Sequence, residues 1–539
     1  MNKNESPLST RLLVAFIASM MGLSGASAAP SDMPGQPKLV VGIMVDDLQE
    51  EYINLLRQYF TKGGFNRMLN NGVLVSNIDY GTPLDATAAT AVIFTGAAPN
   101  VNGINAEEIF DRNTLRGIPI FTDPEIMGNY TNQTVSPKAL QTSTIADEIR
   151  IAGDGFTYAY AIAPEPSRAM IMAGHAGNCG IWLNDANETW ATTTYYRDTP
   201  EALNYRNRNK HLSHRLDTLK WTPSQPENRY SLLPKHILNG AFYHTFSQNG
   251  PDKIQKFKNS PAFNTEITDF AIDHINQYDL GAHDGPDIIS LSYTLEPFAY
   301  SKNPDNRYEL IDSYYRLDRD LNRLLDVIDK KVGLPNALVF IASTPAATRS
   351  RRDDEKWRIP YGEFSTRKAI SLLNLYLIAI YGNGNWVQGY HNGEFFLNQA
   401  LIKQENRNLT EVREQAASLL SQMAGVESAY TLDDVISNRT GAHLGEATRR
   451  NTNLATAGDV KVKVMPGWAI LDDFNNPVAK PDNVEREQAT TAPFMIMAPG
   501  LAAQKINYSV DARQIAPTVM RILRIRSPNG ASLPPLTLD

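Results

Sequence analysis

An α/β fold, with a central, mostly parallel sheet flanked by helices, is predicted by three features of this sequence. Continuous apolar runs such as Lys38–Val45 are typical of strands buried on both faces of a parallel sheet. Amphipathic segments such as Tyr308–Lys331 alternate with these runs, as helices do in α/β folds. The chain has 539 residues, 42% hydrophobic and 20% charged, which is enough for one large core with inserted subdomains.

The individual elements are predicted from apolar periodicity and from the residues that interrupt it. Tyr52–Asn71 has helical periodicity, and Gly72 ends it. Further strands are predicted at Val73–Tyr80, Phe156–Ile162, Asp287–Thr294, Ala337–Ser343 and Pro493–Ala498. Further helices are predicted at Ala139–Ala152, Tyr308–Lys331 and Ile515–Ile525, and the apolar segment Ile370–Tyr381 is predicted to be a core element.

The domain organisation is predicted to be a signal peptide followed by one large domain. Residues 1–28 combine positive charge, the apolar run Leu12–Gly25 and the small-residue site Ala26–Ala28, which is the pattern of a cleaved secretory signal. An uncleaved membrane anchor is the alternative. Residues 29–539 then form the domain, with a Tyr- and Asn-rich cap inserted at about 185–280 and an α+β insertion at about 382–440.

Composition limits the cellular setting and the possible partners. The net charge of −7 gives no electrostatic support for nucleic-acid binding. The single cysteine, Cys179, excludes an internal disulfide and is expected to be a small buried side chain. We expect an exported bacterial protein in the periplasm or associated with the outer membrane, with no transmembrane segment in the mature chain.

Two stretches bring polar residues to places where α/β folds carry out chemistry. Asp46 and Asp47 follow the first apolar run, and ligands of parallel sheets lie at the carboxyl ends of strands. Asp85 precedes a run of small residues and is a predicted helix N-cap. Free N–H groups at a helix N-terminus favour anions, so the sequence predicts an anion-binding cleft here.

The order of sequence landmarks resembles that of the alkaline phosphatase superfamily. The segments that carry the resemblance are KLVVGIMVD at 38–46, GGFNRML at 63–69, FTGAAPNVNGI at 94–104, AGHAGN at 173–178, YRLDRDL at 315–321, LLNLYLIAIYG at 372–382 and QIAPTV at 514–519. More narrowly, the chain is similar to monomeric, phosphate-insensitive periplasmic alkaline phosphatases, with nucleotide pyrophosphatase/phosphodiesterases as more distant kin. The resemblance implies two zinc ions about 4 Å apart and a Thr or Ser nucleophile at a helix N-terminus.

The residues at most of the implied catalytic positions depart from that pattern. Asp46 matches the strand-end metal ligand, and Glu296 retains a carboxylate at a second ligand position. The remaining ligand positions fall on Tyr300, Thr344, Pro345 and Thr491. The nucleophile position falls on Ala86, which cannot attack phosphorus. The adjacent Thr87 is turned by about 100° on a helix, so its hydroxyl is expected to point away, and Thr87 is the alternative nucleophile only if the register is shifted by one residue.

The implied phosphate contacts also depart from the pattern. They fall on Glu107, Glu165 and Ser167, and glutamate in place of lysine reverses the charge that meets a phosphate. Arg168 lies one position further along and is a possible partial substitute. His175, in the AGHAGN turn, is expected to have a packing role.

These departures lead to three hypotheses about function. The main prediction is a catalytically inactive protein without cofactor, a pseudophosphatase, which binds or scaffolds a protein or peptide partner in the cell envelope. The alternative is a metal-dependent phosphoric-ester hydrolase with a remodelled site, in which Asp46, Asp47, Asp85 and Glu296 hold a single Mg²⁺ or Ca²⁺ rather than two zinc ions. A third possibility is a cleft that takes a cationic or neutral ligand such as a peptide.

Overall fold

The computed structural model describes residues 35–197, 199–238, 241–247, 252–303, 305–345, 362–437, 445–476 and 489–538. The predicted signal peptide lies outside the described residues. Gln36–Asp539 form one compact unit. Within the described ranges, no helix has the length and apolar character that a membrane crossing needs.

A ten-stranded, mostly parallel sheet forms the centre of this unit, as the sequence predicted. Its strands, numbered along the chain, are β1 (Leu39–Asp46), β2 (Val73–Asp79), β3 (Gly128–Asn129), β4 (Ala159–Ala163), β5 (Cys179–Asn184), β6 (Thr189–Thr193), β7 (Asp287–Thr294), β8 (Ala337–Ser343), β9 (Thr491–Met497) and β10 (Gln504–Asp511). The order across the sheet is β10-β2-β9-β8-β1-β7-β4-β5-β6-β3. The central strands β8, β1, β7, β4 and β5 run parallel, whereas β9 is antiparallel to both of its neighbours.

Helices cover both faces of the sheet. The core clusters of this sheet include side chains of α1 (Ala86–Thr95), α2 (Ile145–Ala152), α3 (Pro166–Ala173), α4 (Pro261–Gln277), α5 (Arg307–Lys331) and α7 (Ile515–Leu523), whereas α6 (Thr366–Tyr381) contributes to a separate core. The other α-helices among the described residues are Glu50–Leu56, Phe65–Asn71, Pro99–Asn102, Glu201–Asn209, Leu212–Leu216, Lys235–Leu238, Lys253–Lys258, Gln399–Gln404, Leu409–Ser421, Leu432–Ser437 and Glu446–Arg450. Short 3₁₀ turns lie at Arg57–Tyr59, Pro137–Ala139, Glu227–Tyr230, Leu334–Asn336 and Ala512–Gln514.

Alternation along β1 divides the core between the two faces. Val41 and Ile43 point into one hydrophobic cluster, which includes side chains of α4 and α5. Val40 and Met44 point into the other, which includes side chains of α1, α2, α3 and α7. Every residue of β1 is buried, which explains why this strand is a continuous apolar run in the sequence.

The two predicted insertions differ in how they relate to this sheet. Residues within 382–440 contribute to a separate four-stranded sheet of Val387–His391, Glu394–Leu397, Val426–Thr431 and Val460–Val464, which has its own hydrophobic core. By contrast, the 185–280 region supplies β6 and α4 to the central layers, and Trp190 and Phe263 belong to a core cluster of the sheet. The three two-stranded sheets pair Glu108–Asp111 with Arg116–Pro119, Lys220–Trp221 with His244–Thr245, and Gly362–Ser365 with Trp468–Leu471.

Local contacts explain where the observed helices differ from the predicted ones. The predicted helix Tyr52–Asn71 is broken, because the Asp318 carboxylate of α5 accepts hydrogen bonds from the backbone N–H groups of Thr61 (2.7 Å) and Phe65 (2.9 Å). The helix predicted from Ala139 begins only after Thr144, which forms a capping box with Asp147. Segment Ile370–Tyr381 is not solely a core element: it belongs to α6, where the Leu372 side chain is exposed.

Candidate active site

Three parallel strands end together at one edge of the sheet. The register pairs Asp46 at the end of β1 with Thr294 at the end of β7, and Val45 with Ser343 at the end of β8. The backbone N–H of Leu295 donates to the carbonyl oxygen of Asp46 (2.8 Å), which brings the loop after β7 beside this carboxylate. The predicted location of Asp46 at the carboxyl end of a central strand is therefore what the structure has.

Arg168 is the direct partner of Asp46. Its guanidinium Nη1 forms an ion pair with Asp46 Oδ2 and donates to Ser292 Oγ at 2.9 Å. Arg168 lies in the first turn of α3 and is only 9% exposed. Burial is the largest single effect and lowers the pKa of Arg168, but the charge and hydrogen bond of Asp46 together with the charges of Glu296 and Glu107 outweigh it, so the net shift is upward. The guanidinium is thus a fixed positive charge at the strand end.

Glu296 lies on the wall of the same cleft. It is exposed to solvent, yet crowding by protein atoms raises its pKa, and the nearby charge of Asp46 raises it further, whereas Arg168 lowers it. The Glu296 carboxyl therefore interacts with the charges of both Asp46 and Arg168. The structure therefore brings Asp46, Glu296 and Arg168 together at one cleft.

The N-terminus of α1 lies close enough to Arg168 for its N-cap residue to interact with the guanidinium. Asp85 is its N-cap, as predicted, and accepts a hydrogen bond from the backbone N–H of Ala88 (2.8 Å). The other oxygen of Asp85 accepts from the N–H of Glu107 (2.6 Å), so one side chain fixes both the helix and the following loop. The Asp85 residue is exposed, yet desolvation by the surrounding protein atoms raises the pKa of its carboxyl, against these hydrogen bonds and the charge of Arg168. Ala86 is the first residue of the helix.

A hydroxyl–carboxylate–hydroxyl arrangement connects α1 to α3. The Thr87 Oγ1 hydroxyl donates to Glu107 Oε2, and the Ser167 hydroxyl donates to the same oxygen at 2.5 Å. The two hydroxyl oxygens are 3.3 Å apart. Thr87 therefore contacts the positions at which the resemblance puts phosphate contacts. Burial raises the pKa of Glu107 above its ordinary value, although both hydroxyls lower it.

Among the described residues, the charged groups of the cleft are predominantly carboxylates. They belong to Asp46, Asp85, Glu107 and Glu296, and the Arg168 guanidinium acts on all four of them. The pKa values of Asp85, Glu107 and Glu296 are all raised, because the protein atoms around each carboxyl displace water that would stabilise its ionised form. These carboxylates repel a phosphate dianion that enters the cleft, and they repel a monoanion less strongly.

Glu165 pairs with a cation from the 185–280 region. Lys258 Nζ, whose side chain is 5% exposed, lies 2.9 Å from Glu165 Oε1 and 2.5 Å from Asp185 Oδ1. The predicted charge reversal at Glu165 is therefore accompanied by an ammonium group from another segment. The pairing leaves Glu165 half-buried at the rim, N-terminal to Ser167 and Arg168.

The other implied ligand positions have different roles. Thr344 Oγ1 accepts a hydrogen bond from the backbone N–H of Asp47 (3.3 Å). Asp47 itself has a left-handed backbone conformation (φ 56°). Tyr300 packs against Phe298, with ring centroids 5.9 Å apart. Pro345 follows the end of β8, and Thr491 is the first residue of β9, opposite Asp79 of β2.

A two-zinc centre does not fit the described residues. One oxygen of Asp46 is already engaged by Arg168, and the side chains of Tyr300, Thr344, Pro345 and Thr491 include no imidazole or carboxylate. Across the described ranges, no group of three or more His, Cys, Asp or Glu side chains is placed to hold a metal ion. The expectation of no cofactor, or of a single Mg²⁺ or Ca²⁺, remains a prediction.

Sequence reasoning missed the two central partnerships of the cleft. Spacing pointed to Ser167 as the phosphate-clamp position, but the cation that reaches Asp46 is the next residue, Arg168. Ser292 was read only as part of a buried strand. The available signal was its place two residues before the end of β7, since polar side chains near strand ends line ligand sites.

Comparisons with known proteins agree with the fold. The model of the family "Type I phosphodiesterase / nucleotide pyrophosphatase" matches residues 40–491. The chain is 24% identical to the alkaline phosphatase PafA of Elizabethkingia meningoseptica over 99% of both chains, and 24% identical to the alkaline phosphatase PhoV of Synechococcus elongatus over 94% of both. The crystal structure of wild-type PafA superposes with a TM-score of 0.80 at 23% identity, covering 94% of this chain and 99% of that one.

These comparisons correct the main functional prediction. The matched family is one of phosphodiesterases and pyrophosphatases, and the full-length relatives are named alkaline phosphatases. The prediction of a catalytically inactive binding or scaffold protein is therefore wrong. It followed from counting replaced positions one by one, without the contacts that Thr87, Glu107 and Arg168 make with their neighbours.

Proposed function

Because the chain belongs to the type I phosphodiesterase / nucleotide pyrophosphatase family, we propose that it is a phosphoric-ester hydrolase whose active site is remodelled around Thr87, Glu107 and Arg168. The observation that carries the proposal is a hydrogen bond: the hydroxyl of Thr87, which lies in the first turn of α1, donates to the Glu107 carboxylate. A hydroxyl with an adjacent general base at a helix N-terminus is the arrangement of an activated nucleophile.

In this proposal each group of the cleft has one task. Thr87 Oγ1 attacks phosphorus as its proton passes to Glu107, the bond from phosphorus to the leaving oxygen breaks, and water then hydrolyses the Thr87 phosphoester. Ser167 holds the Glu107 carboxylate in place through its own hydrogen bond. Arg168 supplies the positive charge that meets the phosphoryl oxygens, as guanidinium groups do in phosphate sites.

The negative lining of the cleft favours phosphodiesters over phosphomonoesters. A diester carries one negative charge, whereas a monoester approaches two at neutral pH. Among the described residues, one guanidinium interacts with the four carboxylates of Asp46, Asp85, Glu107 and Glu296, so the repulsion is smaller for the diester.

The proposal is tested by assaying purified protein with bis(p-nitrophenyl) phosphate and with p-nitrophenyl phosphate. We expect turnover of the diester to exceed that of the monoester. Thr87→Val, which removes the hydroxyl with little change in shape, is expected to abolish turnover. Glu107→Gln is expected to lower it by about 10²- to 10⁴-fold, the usual contribution of a general base.

Thr90→Val is the matched control. Thr90 lies one turn further along α1, and its hydroxyl donates to the carbonyl oxygen of Ala86 (2.6 Å) rather than into the cleft. It should keep wild-type turnover. Equal losses in Thr87→Val and Thr90→Val would contradict the assignment of Thr87, and absence of diester turnover in the wild type would contradict the function itself.

Export to the periplasm or to the outer membrane is part of this proposal. It rests on the charged, apolar and small-residue segments of residues 1–28. Fractionation of cells that produce the full chain tests it, with diester hydrolase activity in the periplasmic or membrane fraction as the expected result.

A further inference from the structure

The cation at the centre of the cleft is a side chain. Arg168 is buried, is paired with Asp46 and is hydrogen-bonded to Ser292 (2.9 Å). Asp46 is the last residue of the central strand β1, and its carboxylate is the one that the resemblance assigns to zinc. Arg168 thus occupies the immediate neighbourhood that a metal ion at Asp46 would need.

We propose that the Arg168 guanidinium is the permanent cation of this site, standing in place of a divalent metal at Asp46, so that the protein binds a phosphodiester anion without any metal ion. This inference rests on the proposed function only for the identity of the anion. The group that provides the positive charge can be identified by binding measurements, whether or not the bound ester is hydrolysed.

The geometry of the guanidinium suits this role. Both described hydrogen bonds of Arg168 to Asp46 and Ser292 use Nη1, so the other nitrogen edge of the group is not spent on them. A guanidinium presents planar, paired donors that match two oxygens of one phosphate group. Because arginine stays charged throughout the accessible pH range, this cation persists under all conditions in which the protein is folded.

A second observation concerns the other oxygen of Asp46. Oδ1 is buried and has no hydrogen-bond partner among the described residues, and Glu296 lies close enough for its charge to interact with that of Asp46. The guanidinium therefore offsets two neighbouring carboxylates. Removing it leaves an oxygen-rich pair that attracts a hard divalent cation.

The test measures binding of metal ions and of an anion separately. Wild-type protein is dialysed against a chelator and titrated calorimetrically with Zn²⁺, Mg²⁺, Ca²⁺ and diphenyl phosphate. We expect no stoichiometric metal binding, and we expect diphenyl phosphate to bind equally well with and without chelator. Arg168→Met is expected to bind about one divalent ion per chain and to lose at least tenfold in diphenyl phosphate affinity when metal is absent.

Three further variants make the result specific. Arg168→Lys keeps a positive charge and should still exclude metal, although it binds the anion more weakly because it loses the paired donors. The double variant Asp46→Asn/Arg168→Met removes both charges and should bind neither metal nor anion. Arg206→Met is the matched control for loss of a buried arginine, since its partner Glu266 retains Arg215 at 2.5 Å; it should gain no metal.

Each outcome decides the proposal. Wild-type protein that holds a stoichiometric divalent ion, or that needs one to bind diphenyl phosphate, overturns the inference even if the ester is hydrolysed. Metal-independent binding of diphenyl phosphate without any hydrolysis supports the inference and contradicts the proposed function. If Arg168→Met does not fold, the wild-type titration together with Arg168→Lys decides, because metal binding by either protein contradicts a permanent side-chain cation.

Discussion

At the scale of single residues, the cleft shows which contacts a sequence can predict. Asp46 follows an apolar run, so its place at a strand end follows from the pattern alone. The partner of Asp46 cannot be predicted from the pattern, because Arg168 is 122 positions away and reaches the carboxylate only through the packing of α3 against the sheet. A shift of one position, from Ser167 to Arg168, decides whether the site contains a cation.

The protonation state of Glu107 is expected to set the acidic limb of activity. Burial raises its pKa above the ordinary value of 4.5, and a general base acts only when it is ionised. Activity should therefore fall as the pH falls through this raised pKa and should be restored as the pH rises. The measurement is kcat/KM for bis(p-nitrophenyl) phosphate as a function of pH.

Glu107→Gln is the test variant for that measurement, and Thr90→Val is its control. The first should have low activity that no longer depends on pH in this range, and the second should keep the wild-type profile. An acidic limb that persists unchanged in Glu107→Gln would mean that another group is the base.

At the scale of elements, some helix ends could be predicted from the sequence and others could not. Asp85 was predicted as the N-cap of α1 from its position before a run of small residues, and the structure confirms it. Gly63 and Gly64 are a local signal for the break in the predicted helix Tyr52–Asn71, whereas the carboxylate that holds the start of its second part, Asp318, comes from α5 and could not be predicted. Local signals fix a helix end only when its cap is local.

The capping box of α2 gives an element-scale prediction. Thr144 accepts from the backbone N–H of Asp147 (3.2 Å), and Asp147 accepts from the N–H of Thr144 (2.8 Å). Thr144→Ala is expected to lower the free energy of unfolding by about 1–2 kcal/mol, since it leaves a buried N–H without its acceptor. Urea denaturation of the two proteins measures this difference.

Thr131→Ala is a suitable control. Its hydroxyl also accepts from a backbone N–H, that of Gln133 (3.1 Å), but in an exposed loop, where water replaces the lost bond. A loss of stability in Thr131→Ala as large as that in Thr144→Ala would show that burial of the cap is not the cause.

At the scale of the whole molecule, one buried carboxyl is expected to link stability to pH. Burial raises the pKa of Asp320 to about 6, despite hydrogen bonds from Thr265 (2.7 Å) and Arg323 (3.1 Å). A carboxyl that binds its proton more tightly in the folded state stabilises that state at low pH. The contribution is lost as the pH rises from the ordinary pKa of 3.8 through the folded-state pKa.

Asp320→Asn should remove this dependence. The neutral amide is expected to raise the free energy of unfolding at pH 7.5 by about 1–3 kcal/mol relative to the wild type, which is the energy that corresponds to the pKa shift. The difference should be about half as large at pH 5 and should disappear below pH 3.8, where the carboxyl is protonated in both states. Asp326→Asn, at a half-exposed position paired with Arg67, is the control, and a similar gain in that variant would point to general charge reduction instead.

The class of the fold could be predicted for the whole molecule, but the strand order could not. Buried apolar runs that alternate with amphipathic helices predict a mostly parallel sheet, and the structure confirms it. The pairing of β9 against β2 and β8 depends on contacts between residues more than 140 positions apart, for which no local pattern exists. The 185–280 region was expected to stand apart because its sequence is weakly periodic, yet it supplies β6 and α4 to the central layers.

That strand order has a consequence for how the protein is made. The pairings of β2 are with β9 and β10, and β9 also joins β8, so the two halves of the sheet meet only after Thr491–Met497 has left the ribosome. Until then β2 and β8 present open edges, which are templates for aggregation. Completion of the sheet is a late, post-translational event, and a chain truncated before Thr491 should accumulate as aggregate rather than as a smaller folded protein.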